Sequence, residues 1–171
     1  MLFSGIALYS LRAAAFALPV CAVYALALRG RKRKATWAGL ACVFYFAALF
    51  EITVLRGGIE WDAFFNAPRA MVQWVPLKTT LAELRRGAWP FTYHMTGNLA
   101  WFVPLGFFAR KKPAWFALAA GALLSASIEA AQWALMTGQP DVDDLLLNAA
   151  GAFLGRLAAG LLAMRPRGRG E

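Results

Sequence analysis

The chain has 171 residues, of which 60% are hydrophobic and 16% charged, with a formal net charge of +9 and a mean hydropathy of +0.52. A soluble domain does not carry so many long apolar runs, so composition points to the membrane class, and length to a single domain (residues 1–171) of several helices. Nucleic-acid binding is excluded by how the charge is placed: Arg29, Arg31, Lys32, Arg33, Lys34, then Arg110, Lys111, Lys112, then Arg165, Arg167, Arg169 hold 11 of the 18 Lys and Arg residues, and each cluster punctuates an apolar segment.

Five spans are predicted, at residues 5–28, 35–55, 95–109, 113–136 and 144–164. The first contains Pro19 and reads as a retained span. Ala25-Leu26-Ala27 resembles a leader cleavage site, but no basic residue precedes Arg12 and a dense basic cluster follows, which resists export. Cys21 and Cys42 lie inside apolar runs and read as small buried hydrophobes, not as a disulfide. Placing the basic clusters in the cytoplasm puts the N-terminus outside and the C-terminus inside, with residues 165–171 a basic cytoplasmic tail attracted to anionic lipid.

Loops 56–94 and 137–143 then lie outside. Arg56, Arg69, Lys78, Arg85 and Arg86 in the first of these run against the charge rule without reversing it. That loop is rich in aromatic residues suited to the headgroup region (Trp61, Phe64, Phe65, Trp74, Trp89, Phe91, Tyr93). Leu77, Leu81 and Leu84 have the spacing of a short amphipathic helix lying on the outer surface. The third span is shorter than the roughly 20 residues needed to cross the hydrocarbon, and Pro104 is expected to kink it. The expected fold is thus an all-α, polytopic membrane helical bundle with about five transmembrane helices and a short outer amphipathic helix.

With this orientation the unusual polar residues gather in the outer half. Glu51 ends the second span; His94 and Asn98 open the third. Ser125, Glu129 and Gln132 share one face of the fourth by their i, i+4, i+7 spacing. Asp141, Asp143, Asp144 and Asn148 open the fifth, with Asp141, Asp144 and Asn148 on one face if the helix begins by Asp141. A carboxylate at the depth of Glu129 must pair, bind a cation or take up a proton; the structural reading pairs it with Arg12. For the aspartates, helix capping competes with a hard-cation site and with recognition of a cationic or hydrogen-bonding ligand. His94, the single histidine, fits no Cys/His metal spacing and reads as a solvated loop-edge residue. Arg156 is expected to extend toward the cytoplasmic face, and Gly151 and Gly155 form a small-residue pair for close packing, offering a homodimer interface.

The chain resembles the VanZ-like family of small bacterial membrane proteins over roughly residues 70–160. The resemblance rests on Val75-Pro76-Leu77-Lys78, on Asn98 followed by Phe102-Val103-Pro104-Leu105-Gly106, on Ser125, Ser127, Ile128, Glu129 and Gln132, and on Asp141-Val142-Asp143-Asp144 with Asn148, Gly151 and Gly155. The arginine that often precedes the family's aspartates is absent; Thr137-Gly138-Gln139-Pro140 stands there. The resemblance implies a multi-pass protein of the bacterial cytoplasmic membrane, in a family whose founding members are linked to low-level teicoplanin resistance. It marks Asn98, Glu129, Gln132, Asp141, Asp143, Asp144 and Asn148 as motif positions without giving them catalytic roles.

The leading expectation is an envelope protein that binds an amphipathic ligand (a lipid-linked wall precursor, a lipid headgroup or a lipoglycopeptide) at the outer leaflet. Asn98, Ser125, Glu129, Gln132, Asp141, Asp143, Asp144 and Asn148 would form the ligand site, with no cofactor. One rival is an intramembrane enzyme using Glu129 as general acid or base, with a divalent cation on Asp141, Asp143 and Asp144. Another is a small transporter or accessory subunit, disfavoured by the lack of an inverted repeat.

Overall fold

The computed structural model describes residues 2–29, 36–55 and 58–164, with side chains from Leu11 onward. Most of the first basic cluster, Arg56 and the 165–171 tail, on which part of the charge pattern rests, lie outside the described residues. Among those described the chain is all-α: α1 (Leu2–Ala27), α2 (Trp37–Phe50), α3 (Trp61–Asn66), α4 (Lys78–Arg86), α5 (Ala88–Phe108), α6 (Ala114–Leu135) and α7 (Val142–Met164). The chain forms two compact units, Met1–Ala70 with Ala131–Gln139, and Met71–Ala130 with Pro140–Glu171.

In the first unit α1 packs on α2 through small residues. Ala13 and Ala17 meet Ala47 and Ala48, with Ile52 against them. Small side chains let helix backbones approach closely where lipid offers no hydrophobic driving force. Thr36 caps α2 by accepting from the Gly39 amide at 3.1 Å. At its other end α2 widens into a π-helical turn, Glu51–Leu55. Arg12 of α1 pairs with Glu51 there at 3.2 Å, so the cation considered as a partner for Glu129 is committed to a different carboxylate. The last turn of α6 ends in a left-handed residue, Met136 (φ 59°). The Thr137 amide reaches back to the Gln132 carbonyl at 2.9 Å, the closing bond of a Schellman turn. Arg69 caps the same terminus through the Ala134 carbonyl at 2.6 Å, its guanidinium held beside the rings of Phe64 and Trp133.

In the second unit α5 and α7 lie against each other at glycine contacts. A Cβ on Gly151 would collide with the Leu99 carbonyl, one on Gly155 with the Val103 carbonyl, and one on Gly106 with the Ala152 carbonyl. Gly121 of α6 likewise faces Ala149 and Ala152. The Gly151/Gly155 face expected to pair two copies is therefore taken up by α5 of the same chain. Arg156 donates to the Lys112 carbonyl at 2.6 Å, at the end of the helices that carries the basic loop Arg110–Lys112.

Among the described residues, three helical stretches are long and apolar enough to cross a membrane: Trp37–Leu55, Ala114–Leu135 and Val142–Met164. They match the second, fourth and fifth expected spans. The part of α1 whose side chains are described, Leu11–Ala27, is apolar as well. The expected third span is only part of α5, which begins at Ala88 and reaches 21 residues. Length is not its deficit; Thr92, His94, Thr96 and Asn98 lower the apolarity of its first half, and it does not join the three. The region read as an outer loop is largely helical, holding α3, α4 and the start of α5. α4 coincides with the expected amphipathic segment, and Leu77, Leu81 and Leu84 are all exposed along it.

Candidate polar site at the start of α7

The second unit gathers nearly every polar residue singled out above. The segment before α7 is held by a two-bond parallel bridge. The Gln73 amide donates to the Pro140 carbonyl at 2.8 Å, and the Val142 amide to the Gln73 carbonyl at 3.0 Å. This fixes Asp141 as the residue before the helix, where its Oδ1 accepts from the Asp143 amide at 2.9 Å. That is an N-cap bond, satisfying one of the free amides of the first turn. The other oxygen of Asp141 accepts from the Thr79 hydroxyl.

Asp143 is the most enclosed carboxylate, 1% exposed. It points away from its own helix and closes the start of α4, accepting from the backbone amides of Leu77 and of Thr80, the latter at 2.8 Å. Leu77 has a left-handed conformation (φ 64°), and an incoming carboxylate on its amide stabilises that turn. Two of the three aspartates are thus spent on backbone geometry. As candidate metal ligands the three diverge, each directed at its own donors; among the described residues no group of three or more His, Cys, Asp and Glu is arranged to hold a metal ion.

Asp144 differs. Its Oδ1 accepts from Asn98 at 2.8 Å and lies 3.7 Å from His94 Nδ1, and its side chain is 31% exposed. His94 is not a solvated loop residue: it sits inside α5, its side chain 15% exposed, with Nε2 3.5 Å from the Thr80 hydroxyl. Asn98, one turn on, also reaches back to the His94 carbonyl at 3.1 Å.

Across from α7, α6 presents Glu129 and, one turn deeper, Ser125, both buried. Glu129 Oε2 accepts from the Asp141 amide at 3.0 Å. Asn148, one turn below Asp144 and 5% exposed, donates to Ser125 Oγ at 2.9 Å. Gln132 does not join this group. It lies in the first unit and donates to the Thr53 carbonyl at 3.0 Å, satisfying an acceptor in the π-helical turn.

Of the eight predicted ligand residues, seven lie in this unit: Asn98 bonds Asp144, Glu129 bonds the Asp141 amide, Asp141 bonds the Asp143 amide, and Ser125 and Asn148 form a separate pair. Sequence reading missed Thr79, Thr80 and the Leu77 amide, and underrated His94. The four-residue spacing of His94 and Asn98 on one helix face was available as a signal. Nothing in the sequence marks the two threonines, which depend on where α4 docks.

The arrangement sets carboxylate, amide, imidazole and hydroxyl groups from four helices, α4 to α7, into an otherwise apolar unit. Such groups are costly in hydrocarbon and persist when paired or when they serve a ligand. Apolar helices of spanning length together with this enclosed polar cluster define a multi-pass helical membrane protein. Within that class, the VanZ/LLP1 family model matches residues 42–163, and the chain belongs to that family. A search of curated proteins and one of solved structures give no match.

Proposed function

We propose that this chain is a cell-envelope protein of the bacterial cytoplasmic membrane that binds the polar head of an amphipathic ligand at the outer leaflet. The ligand would be a lipid headgroup, a lipid-linked wall precursor or a lipoglycopeptide. The observation that carries this reading is Asp144: a part-exposed carboxylate at the mouth of a buried polar column, facing an imidazole and an amide and, among the described residues, paired with no lysine or arginine. Asp141 caps that helix start and Asp143 is spent on the start of α4, so Asp144, with Glu129, Asn98 and Asn148, is the part of the cluster left to serve a ligand. The basic loops support an orientation with the N-terminus outside and the C-terminus in the cytoplasm, which sets the start of α7 at the outer surface. The exposed leucines of α4, flanked by Lys78, Arg85 and Arg86, suit a helix resting in the headgroup layer beside it. Membership of the VanZ/LLP1 family makes teicoplanin susceptibility the phenotype to examine.

The test is native mass spectrometry of the detergent-extracted protein beside Glu129→Gln. The expected result is a co-purifying lipid species that the variant loses while its thermal unfolding is unchanged. Equal lipid retention in both would overturn the reading.

A second reading is an intramembrane enzyme, favoured by one observation: His94 lies between Asp144 and the Thr80 hydroxyl, an order in which a carboxylate orients an imidazole that takes up a proton. On that reading His94→Gln abolishes turnover of the bound lipid and leaves its retention intact.

A further inference from the structure

Asn148 is buried between α6 and α7, and its Oδ1 has no hydrogen-bond partner. Its Nδ2 is used on Ser125. With Nδ2 on Ser125, the open atom is Oδ1, an acceptor. A buried polar atom without a partner is costly, and such atoms persist where water or a ligand completes them. The atoms above it tell which kind of group completes this one. Asp144 stands one turn nearer the helix start on the same face of α7, and Glu129 one turn above Ser125 on α6. Asp144 uses Oδ1 on Asn98 and His94, and Glu129 uses Oε2 on the Asp141 amide. Oδ2 of Asp144 and Oε1 of Glu129 are left for another donor. Three acceptors, two of them on carboxylates, line one column whose upper end is part-exposed at Asp144. The other two aspartates nearby are already occupied by backbone amides and Thr79.

We propose that the column formed by Asp144, Glu129 and Asn148 binds a primary ammonium group. This deepens the ligand-binding reading above and rests on it. An ammonium carries three N–H donors and no acceptor, which matches three open acceptors, and its charge offsets carboxylates that would otherwise be unpaired in a low-dielectric setting. A quaternary ammonium has the charge without the N–H groups and leaves Asn148 Oδ1 unmatched. The ethanolamine headgroup of a phospholipid and a free amine share the required chemistry.

The experiment uses the full chain in detergent, with phosphatidylethanolamine and phosphatidylcholine of the same acyl chains added in equal amounts, read by native mass spectrometry. Phosphatidylethanolamine is expected to be retained at least about ten-fold over phosphatidylcholine, a difference of about 1.4 kcal/mol. Asp144→Asn and Asn148→Leu are each expected to remove that preference with thermal unfolding unchanged. Should Asn148→Leu fail to fold, the part-exposed Asp144→Asn carries the test. Displacement of the lipid by excess ethanolamine means that the ammonium suffices for binding; no displacement means that it is recognised only when lipid-borne. Equal retention of the two lipids, both lost in Glu129→Gln, overturns the ammonium site and leaves the wider ligand reading standing. Equal retention that no variant alters overturns both.

Discussion

At the residue scale, adjacent aspartates in one motif do different work. Asp143 accepts two backbone amides from the start of α4 while fully enclosed, whereas Asp144 meets an amide and an imidazole at a part-exposed edge. Asp143→Ala strands the buried Thr80 amide and the part-buried Leu77 amide, each losing a charge-assisted bond. We expect a loss of roughly 3 kcal/mol, seen as a fall in the unfolding temperature of the detergent-solubilised protein. Asp144→Asn keeps an acceptor toward Asn98 and is expected to unfold within about 1 kcal/mol of wild type. A reversed order of the two variants would mean that Asp144, not Asp143, anchors the helix start. The sequence shows three carboxylates at a helix start and predicts capping for some of them. It does not reveal which, because the deciding partners, Leu77, Thr79 and Thr80, lie more than sixty residues away in the chain.

At the element scale, α5 and α7 are held in contact by what their glycines lack. Carbonyl oxygens of Leu99 and Val103 occupy the positions where side chains on Gly151 and Gly155 would begin. Backbone cannot yield as a flexible side chain does, so Gly151→Ala is expected to cost about 3 kcal/mol by overpacking. Gly97 lies on α5, where an added Cβ would meet nothing within 4 Å, so Gly97→Ala is expected to be neutral or to stabilise by up to about 1 kcal/mol through helix propensity. Thermal unfolding of the two variants side by side checks the contrast; equal effects would mean that the close α5–α7 contact is not what sets stability. The small-residue spacing is visible in the sequence as a packing signal, but not whether the partner is another copy or another helix of the same chain. In this structure α5 of the same chain lies on that face.

At the scale of the whole molecule, alternation of apolar helices with basic loops predicts an orientation with the N-terminus outside. In a background with Cys21 and Cys42 replaced by serine, Gln139→Cys is expected to react with a membrane-impermeant maleimide in intact cells. Lys111→Cys is expected to react only after lysis. The reverse pattern would invert the orientation and move the start of α7 to the cytoplasmic side.

Composition and hydropathy by themselves determined the membrane class, the three strongest spans and the amphipathic α4, because burial in lipid depends on each segment's own apolarity and period. They also marked the positions of Asn98, Ser125, Glu129 and Asn148, since helical spacing sets which residues share a face. Tertiary structure alone decided the pairings: Arg12 with Glu51, Gln132 with Thr53, His94 with Asp144, and Asp143 with the start of α4. Each joins residues on separate helices or across a turn, and a hydrogen bond depends on distance and direction in space, which spacing along one helix does not encode.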